Sequence, residues 1–293
     1  MDMEKYRTLV SVIEEGSFSA LAEKQGYTPS GISRMMASME AELGFPLLIR
    51  SKKGVTPTAD CLEILPQIKN ALAAWERVRQ SADQLLGLST GTLHIGTSYY
   101  AGYPWLVQVI AAFQKQYPGI AVKLIEGTSS QLATAIEENR ADLCLISQRA
   151  GNHQWILLKN DFMVAWVPKD HPMAGGAGFP ISQFRKEPFI ELYPGLETDN
   201  SRMFHRNSIQ PQTVYTTTDN FAVYAMVEAG LGISSANSLI AESFAGDVVA
   251  LPIEPLQSVD IGMAIPAESV ISPAARKFAD FAISRAGQWS ETR

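Results

Sequence analysis

The sequence predicts an all-α N-terminal part carrying one short β-hairpin, followed by a larger α/β part built on a mostly parallel sheet. Three observations predict it. Up to Leu88 apolar residues recur at helical spacing almost throughout. From Gly91 onward short β-branched or apolar runs alternate with amphipathic helical stretches, the pattern of βαβ units. Gly87 and Gly91 bracket the change. With 293 residues and 46% hydrophobic content, there is enough apolar material for two or three domains and at least one sizeable core.

Tyr6, Leu9, Val10 and Ile13 fall on one helical face, and Gly16 supplies a stop. Ser17 can cap a second, short helix that buries Phe18, Leu21 and Ala22. After a tight turn at Gly26-Tyr27, Thr28-Pro29 reads as a cap followed by proline in the first helical position. The helix over 28–42 turns Ile32, Met36 and Met39, with Leu43 beyond, towards a core. At 100° per residue, Ser30, Ser33, Arg34 and Ala37 lie roughly opposite. These are short or hydrogen-bonding groups with one long cation, a face that can sit close to the floor of a DNA groove. A solvated helix face is the competing reading. The two preceding helices, joined by a short glycine turn, favour a helix-turn-helix.

Residues 45–58 follow a strand–turn–strand pattern with Lys52-Lys53-Gly54 at the tip. A basic hairpin beside a recognition helix is a wing, and it places Arg50, Lys52 and Lys53 near phosphates; an ordinary solvated turn is the alternative. From Thr58 to Leu86, Cys61, Leu65, Ile68, Leu72, Trp75, Arg79, Ala82 and Leu86 alternate in steps of four and three. That is a heptad seam broken only by Arg79, and Leu65, Ile68, Leu72 and Trp75 are its candidate pairing residues. Packing of the same face on the chain's own domains is the alternative. Pro66 should bend or loosen one turn.

Gly16-Ser17-Phe18-Ser19, together with Ile32-Ser33, Met39-Glu40, Leu43-Gly44, Leu47-Leu48, Arg50 and Thr56-Pro57-Thr58-Ala59, resembles the DNA-binding domain of LysR-type transcriptional regulators. The resemblance runs on through Gly91–Gly96, Ala141–Ile146, Asp170–Ala174 and Val227–Ile233, in order and at proper spacing. Departures are local. Leu21 and Gln25 replace a common alanine and leucine, Pro29 stands where a glutamine is frequent, Gly31 replaces alanine, and Asp60 replaces glycine. They bear on the operator sequence, not on the class. The resemblance implies a winged helix-turn-helix over 1–58, a linker and dimerisation helix over 59–88, and an effector-binding domain over 91–293. It also implies two α/β lobes like those of periplasmic solute-binding proteins. Lobe I would span about 91–161 and 266–293 and lobe II about 162–265, with crossings near Asp161 and Ile265.

In that second part, strands are expected over 92–98, 121–126, 143–147, 161–168, 189–192, 213–217, 248–251 and 261–266. Helices are expected over 103–116, 129–139, 199–207, 219–229 and 273–285. Ligands in open α/β sheets sit at the carboxyl ends of strands, beside helix N-termini. The polar residues there are Thr97, Ser98, Tyr99, Thr128, Ser129, Gln148, Asp199 and Arg202, and Phe221 offers an aromatic wall. Helix capping explains each polar position singly. Their convergence on one cleft, which the family fold implies, makes a small carboxylate or similar anion the expected effector.

Other classes fit less well. A formal net charge of -6 excludes a protein that coats nucleic acid over its whole surface. Residues 1–58 balance seven Lys and Arg against seven Asp and Glu, so affinity for DNA must come from one face presented twice. The four histidines are scattered, and no nucleophile elbow or phosphate loop is present, which argues against an enzyme. Cys61 and Cys144 are too far apart in sequence to suggest a disulfide framework or zinc site, and they suit a reducing cytoplasm. The peroxide-sensing members of the family use a cysteine pair in the second lobe, and no cysteine follows Cys144. A transport-type binding protein would carry a signal sequence, which Met1–Tyr6 does not resemble. The expected partners are promoter DNA, a small-molecule effector, a second copy of the chain with assembly to a tetramer, and RNA polymerase. No membrane, metal or cofactor is expected. An effector-independent regulator and a cytosolic small-molecule-binding protein are the remaining alternatives.

Overall fold

The computed structural model describes residues 3–51, 54–86, 89–267 and 270–290. The chain divides into two compact units, Met1–Leu85 and Leu86–Arg293.

The first unit runs α1 (Met3–Glu15), α2 (Phe18–Gln25), α3 (Pro29–Leu43), β1 (Leu48–Ser51), β2 (Gly54–Pro57) and α4 (Ala59–Leu85). Its core gathers Leu9, Val12, Ile32, Met36 and Leu47, all fully buried. The buried side of α1 is turned slightly from the expected face. Thr8 and Val12 are inside, while Val10 and Ile13 are half-buried. The Thr8 hydroxyl donates to the Glu4 carbonyl at 2.9 Å, so a polar side chain enters the core with its hydrogen bond made. Ser17 and Thr28 cap α2 and α3 through their hydroxyls. Gly54 stands at φ +125°, and a Cβ there would lie 2.6 Å from the Gly16 carbonyl oxygen. That oxygen accepts from Val55 N at 2.8 Å, which fastens the hairpin to the α1–α2 turn. Helix α4 continues unbroken through Pro66.

The second unit runs β3 (Gly91–Thr97), a 3-10 turn (Tyr100–Gly102), α5 (Tyr103–Gln116), β4 (Ile120–Glu126), α6 (Ser129–Glu137), β5 (Leu143–Ser147) and β6 (His153–Pro168). It continues with β7 (Phe179–Pro180), a 3-10 turn (Ile181–Arg185), β8 (Pro188–Leu192), α7 (Asp199–Arg206), β9 (Gln212–Thr217) and α8 (Asn220–Glu228). It ends with β10 (Ser234–Asn237), α9 (Ser238–Ala241), β11 (Val248–Glu254), β12 (Ser258–Pro266), α10 (Pro273–Ile283) and a 3-10 turn (Ala286–Ser290). The main sheet has the order β4-β3-β5-β12-β6-β11-β7, and β10 also pairs with β6. Strands β3, β4 and β5 are parallel, whereas β12 is antiparallel to both β5 and β6. A separate parallel pair, β8–β9, completes the second lobe.

Strand β6 belongs to both lobes. Residues 153–162 pair with β12 in lobe I, and residues 163–168 pair with β10 and β11 in lobe II. It starts well before the expected 161, because its first half is a polar-ended, half-buried stretch without clean alternation. The return crossing also differs from the expectation near Ile265. All of β12 pairs within lobe I, so the chain returns between Glu254 and Ser258. Lobe I packs around Trp105, Phe113, Leu145 and Phe278, with the Trp105 and Trp289 rings stacked at 4.8 Å. In lobe II, Phe179, Phe184, Phe189 and Phe204 meet at tilted and edge-to-face angles.

Candidate functional site

Two surfaces stand out, one on each unit. On α3 the buried stripe of Ile32, Met36 and Met39 leaves Ser30, Arg34 and Ala37 exposed and Ser33 half-buried. Among the described residues Arg34 makes no hydrogen bond or ion pair. Gly31 lies beside the cap, where a Cβ would come within 3.0 Å of the Thr28 hydroxyl. Arg50 is tied down rather than extended. It donates to the Ser33 hydroxyl at 2.8 Å, lies 3.4 Å from the Glu40 carboxylate and covers the Phe18 ring at 5.2 Å. Glu40, one of the family-like residues but given no role by the sequence, also accepts from Leu47 N and Leu48 N at 2.8 and 3.1 Å. This carboxylate joins α3 to the first wing strand. Lys52 and Lys53 lie outside the described residues, as do residues 87–88 at the expected domain break.

The expected seam on α4 divides. Cys61 and Ile68 are buried in the unit's own core, with Leu72 packed against it and Leu65 half-buried. Of the four candidate pairing residues, only Trp75 is substantially exposed, at 45%. Val78 and Leu85 extend the exposed apolar surface towards the C-terminal end of the helix. Ile68 is therefore a core residue of its own chain, because the first half of α4 lies along α1.

On the second unit, a cavity of about 550 Å³ opens between the two lobes. Thr97, Ser98, Tyr99, Thr128 and Ser129 line it from lobe I, and Asp199 and Phe221 from lobe II. Gln148 and Arg202 are not among its lining residues. Gln148 points to solvent because successive residues at the strand end alternate sides, which turns Ser147 and Arg149 inward instead. Arg202 instead stands beside Glu197 at 3.4 Å on the surface.

Arg149 is the central group. Its side chain is 5% exposed and lies 2.9 Å from the Asp199 carboxylate, itself 14% exposed. Its guanidinium also donates to the Ser130 and Ser147 hydroxyls at 2.8 and 2.6 Å. Asp199 accepts from the Ser147 hydroxyl and the Tyr99 phenol, both at 2.6 Å. Burial first, then the adjacent Asp199, pushes the Tyr99 phenol well above its ordinary range. Beside this network the Ser98 and Ser129 hydroxyls lie 2.8 Å apart. Thr97 and Thr128 are spent locally. Thr97 accepts from Tyr99 N at 3.1 Å, and Thr128 closes a capping box with Gln131. Glu126, Tyr193, Ser235 and Asn237, which carry no signal in the sequence, also line the cavity, as does Asp219, one of the polar groups at the helix starts of the second lobe. Ser235 and Asn237 lie in a strand of small polar residues, Ser-Ser-Ala-Asn, with none of the β-branched composition that signals a strand.

Residues 3–62 match the family described as "Bacterial regulatory helix-turn-helix protein, lysR family". Residues 86–287 match the "LysR substrate binding domain". The chain belongs to the LysR family of transcriptional regulators. Among LysR relatives, the chain is similar to the uncharacterized HTH-type transcriptional regulator YvbU of Bacillus subtilis (strain 168). They share 27% identity over 96% of this chain and 98% of that one. The transcriptional dual regulator GltC of the same organism is 26% identical over 97% of each chain. A full-length variant of OxyR from Pseudomonas aeruginosa superposes with a TM-score of 0.73 at 19% identity, covering 98% of this chain and 94% of that one. CbnR, a LysR family transcriptional regulator, superposes at 0.67 and 19% identity, covering 98% and 99%. It has also been solved in complex with its target DNA. Among the described residues no helix is long and apolar enough to cross a membrane.

Proposed function

We propose that this LysR-type regulator reads promoter DNA with the exposed side of α3 and answers to a small molecule held in the interlobe cavity. The observation that carries the DNA reading is the division of α3 into a fully buried apolar stripe and an opposite side of short hydroxyl and methyl groups around Arg34. Ser30, Ser33 and Arg34 are the groups placed at base edges and phosphates, and Lys52 and Lys53 flank them at the backbone. Arg50 braces that surface through its bonds to Ser33 and Glu40. Trp75 and Val78 on α4 supply the apolar surface through which a second copy joins, and two-fold pairing then presents two reading helices to two half-sites. Tetramer assembly, contact with RNA polymerase and a cytoplasmic location complete this reading.

A ligand that favours one arrangement of the lobes shifts the population of DNA-bound forms by its difference in affinity for them. The test is gel retardation on the protein's own promoter DNA. Arg34→Ala should weaken binding by about 1–3 kcal/mol while secondary structure and oligomeric state stay unchanged. Unaltered retardation would remove α3 as the reading surface.

A further inference from the structure

An anion already sits at the strand ends of lobe I, and it is a side chain of the chain itself. Asp199 opens α7 in lobe II, yet both oxygens of its carboxylate are taken up by lobe I. One accepts from the Tyr99 phenol at 2.6 Å. The other accepts from the Ser147 hydroxyl at 2.6 Å and from the Arg149 guanidinium at 2.9 Å. Hydrogen bonds to an ionised acceptor are the strong ones, and all three cross from one lobe to the other. Two residues earlier Glu197 adds a further crossing, accepting from the Ser130 hydroxyl at 3.0 Å.

Lobe I holds these donors in place with its own groups. Arg149 donates through Nε to the Ser130 hydroxyl at 2.8 Å, and through Nη1 to the Ser147 hydroxyl at 2.6 Å and the Gln148 carbonyl at 3.1 Å. Ser147 N donates in turn to the Ser129 hydroxyl at 3.2 Å. None of these bonds involves lobe II, so the cradle keeps its shape without Asp199. A guanidinium 5% exposed, a hydroxyl and a phenol aimed at one carboxylate make a complete donor set for such a group. Arg149 and Asp199 both line the cavity, and the Asp199 side chain is 14% exposed, so a small anion entering the cavity can reach the same place.

We infer that lobe I contains a carboxylate-binding subsite whose occupant is the chain's own Asp199, and that this internal anion latches lobe II to lobe I. A tethered carboxylate competes at an effective concentration that a dissolved one rarely matches. A carboxylate effector therefore gains the guanidinium only by displacing Asp199, and that exchange releases α7 from lobe I. A ligand that leaves the pair intact is held by the rest of the cavity. The subsite is defined by its own occupant, so it goes beyond the effector reading and stands whichever metabolite the cavity takes.

The test is anion rescue in the full-length protein. Asp199→Ala removes the carboxylate and leaves room for formate. The melting temperature of this variant should rise saturably with formate, and more than with formamide or with chloride at equal ionic strength. The parent should stay flat at the formate concentrations that saturate the variant. Asp199→Ala combined with Arg149→Met should lose the response. Where the single variant is too unstable for a melting curve, refolding yield from urea in formate against chloride reads the same exchange, and equal yields overturn the subsite. So do a variant blind to formate, an equal response to formamide or chloride, an equal response in the parent, and a response that survives the loss of Arg149. None of these outcomes touches the DNA reading, which stands or falls on retardation by the Arg34→Ala protein.

Discussion

Arg149 and Asp199 approach from different lobes and meet at 2.9 Å in the cavity between them, with a serine hydroxyl shared on one side and a buried phenol on the other. Removing one member of such a pair strands the other charge in a place water barely reaches. Asp199→Ala should therefore cost about 3 kcal/mol in the unfolding transition of the second unit. Adding Arg149→Met should recover most of that loss, because the stranded charge is gone. A double-substitution cycle by urea denaturation measures the coupling; additive effects would mean that the two groups act independently.

Arg50 and the wing lysines should separate in a salt titration of DNA binding. Every DNA phosphate that the protein ceases to neutralise lowers the slope of log affinity against log salt by about 0.9. Lys52→Ala with Lys53→Ala should flatten the slope by about that amount for each lysine that sits on a phosphate. Arg50→Ala should leave the slope near its original value and lower the stability of the first unit by about 1 kcal/mol, since its bonds run to Ser33 and Glu40. A flattened slope for Arg50→Ala would return that residue to the phosphate backbone.

Gly54→Ala tests the fastening of the wing. A Cβ at φ +125° meets the Gly16 carbonyl oxygen at 2.6 Å, and neither backbone can yield without giving up the Val55–Gly16 hydrogen bond. The substitution should destabilise the first unit by roughly 1–3 kcal/mol and weaken promoter binding with it. Circular dichroism melting of the full chain reads the first effect; a melting curve like that of the parent would show that the hairpin shifts freely.

Both thiols should be inert in the folded protein. Burial pushes Cys144 up to about 12, and burial followed by Glu40 raises Cys61. At about pH 8 the reactive thiolate is then scarce, and access is closed as well. Ellman's reagent should find no rapidly reacting thiol in the native protein and two after denaturation in guanidinium. Rapid native labelling would contradict the packing of β5 or of α4.

What could be read from the sequence followed from periodicity and local chemistry. The stripe of Ile32, Met36 and Met39, the cap at Thr28 and the proline after it, and the polar strand ends at Thr97–Ser98 and Thr128–Ser129 all depend on neighbours close in sequence. What escaped depends on partners far along the chain. Arg149 stands in the cavity where Gln148 is expected, since the parity of a strand end is fixed only by the ladder it leaves. Ile68 matches a pairing seam but is covered by its own unit. Ser235 and Asn237 give no strand signal because β6, not their own composition, holds β10 in place. Arg50 is expected at phosphates, and only the folded hairpin reveals Ser33 and Glu40 within its reach.

Strand β6 has a mechanical consequence. It passes from one lobe to the other without leaving its ladder, and Asp161, at the passage, accepts from its own neighbour Phe162 N and from Ser238. The companion connection, between Glu254 and Ser258, leaves β11 and rejoins the sheet as β12. Both straps are fastened, because Gln257 in the second accepts from Met163 N of β6 and from the Asn207 side chain, each at 2.8 Å. Two fastened straps lying side by side resist sliding of the lobes more than hinging about them, so opening and closing of the cavity takes the form of a rotation of one lobe on the other.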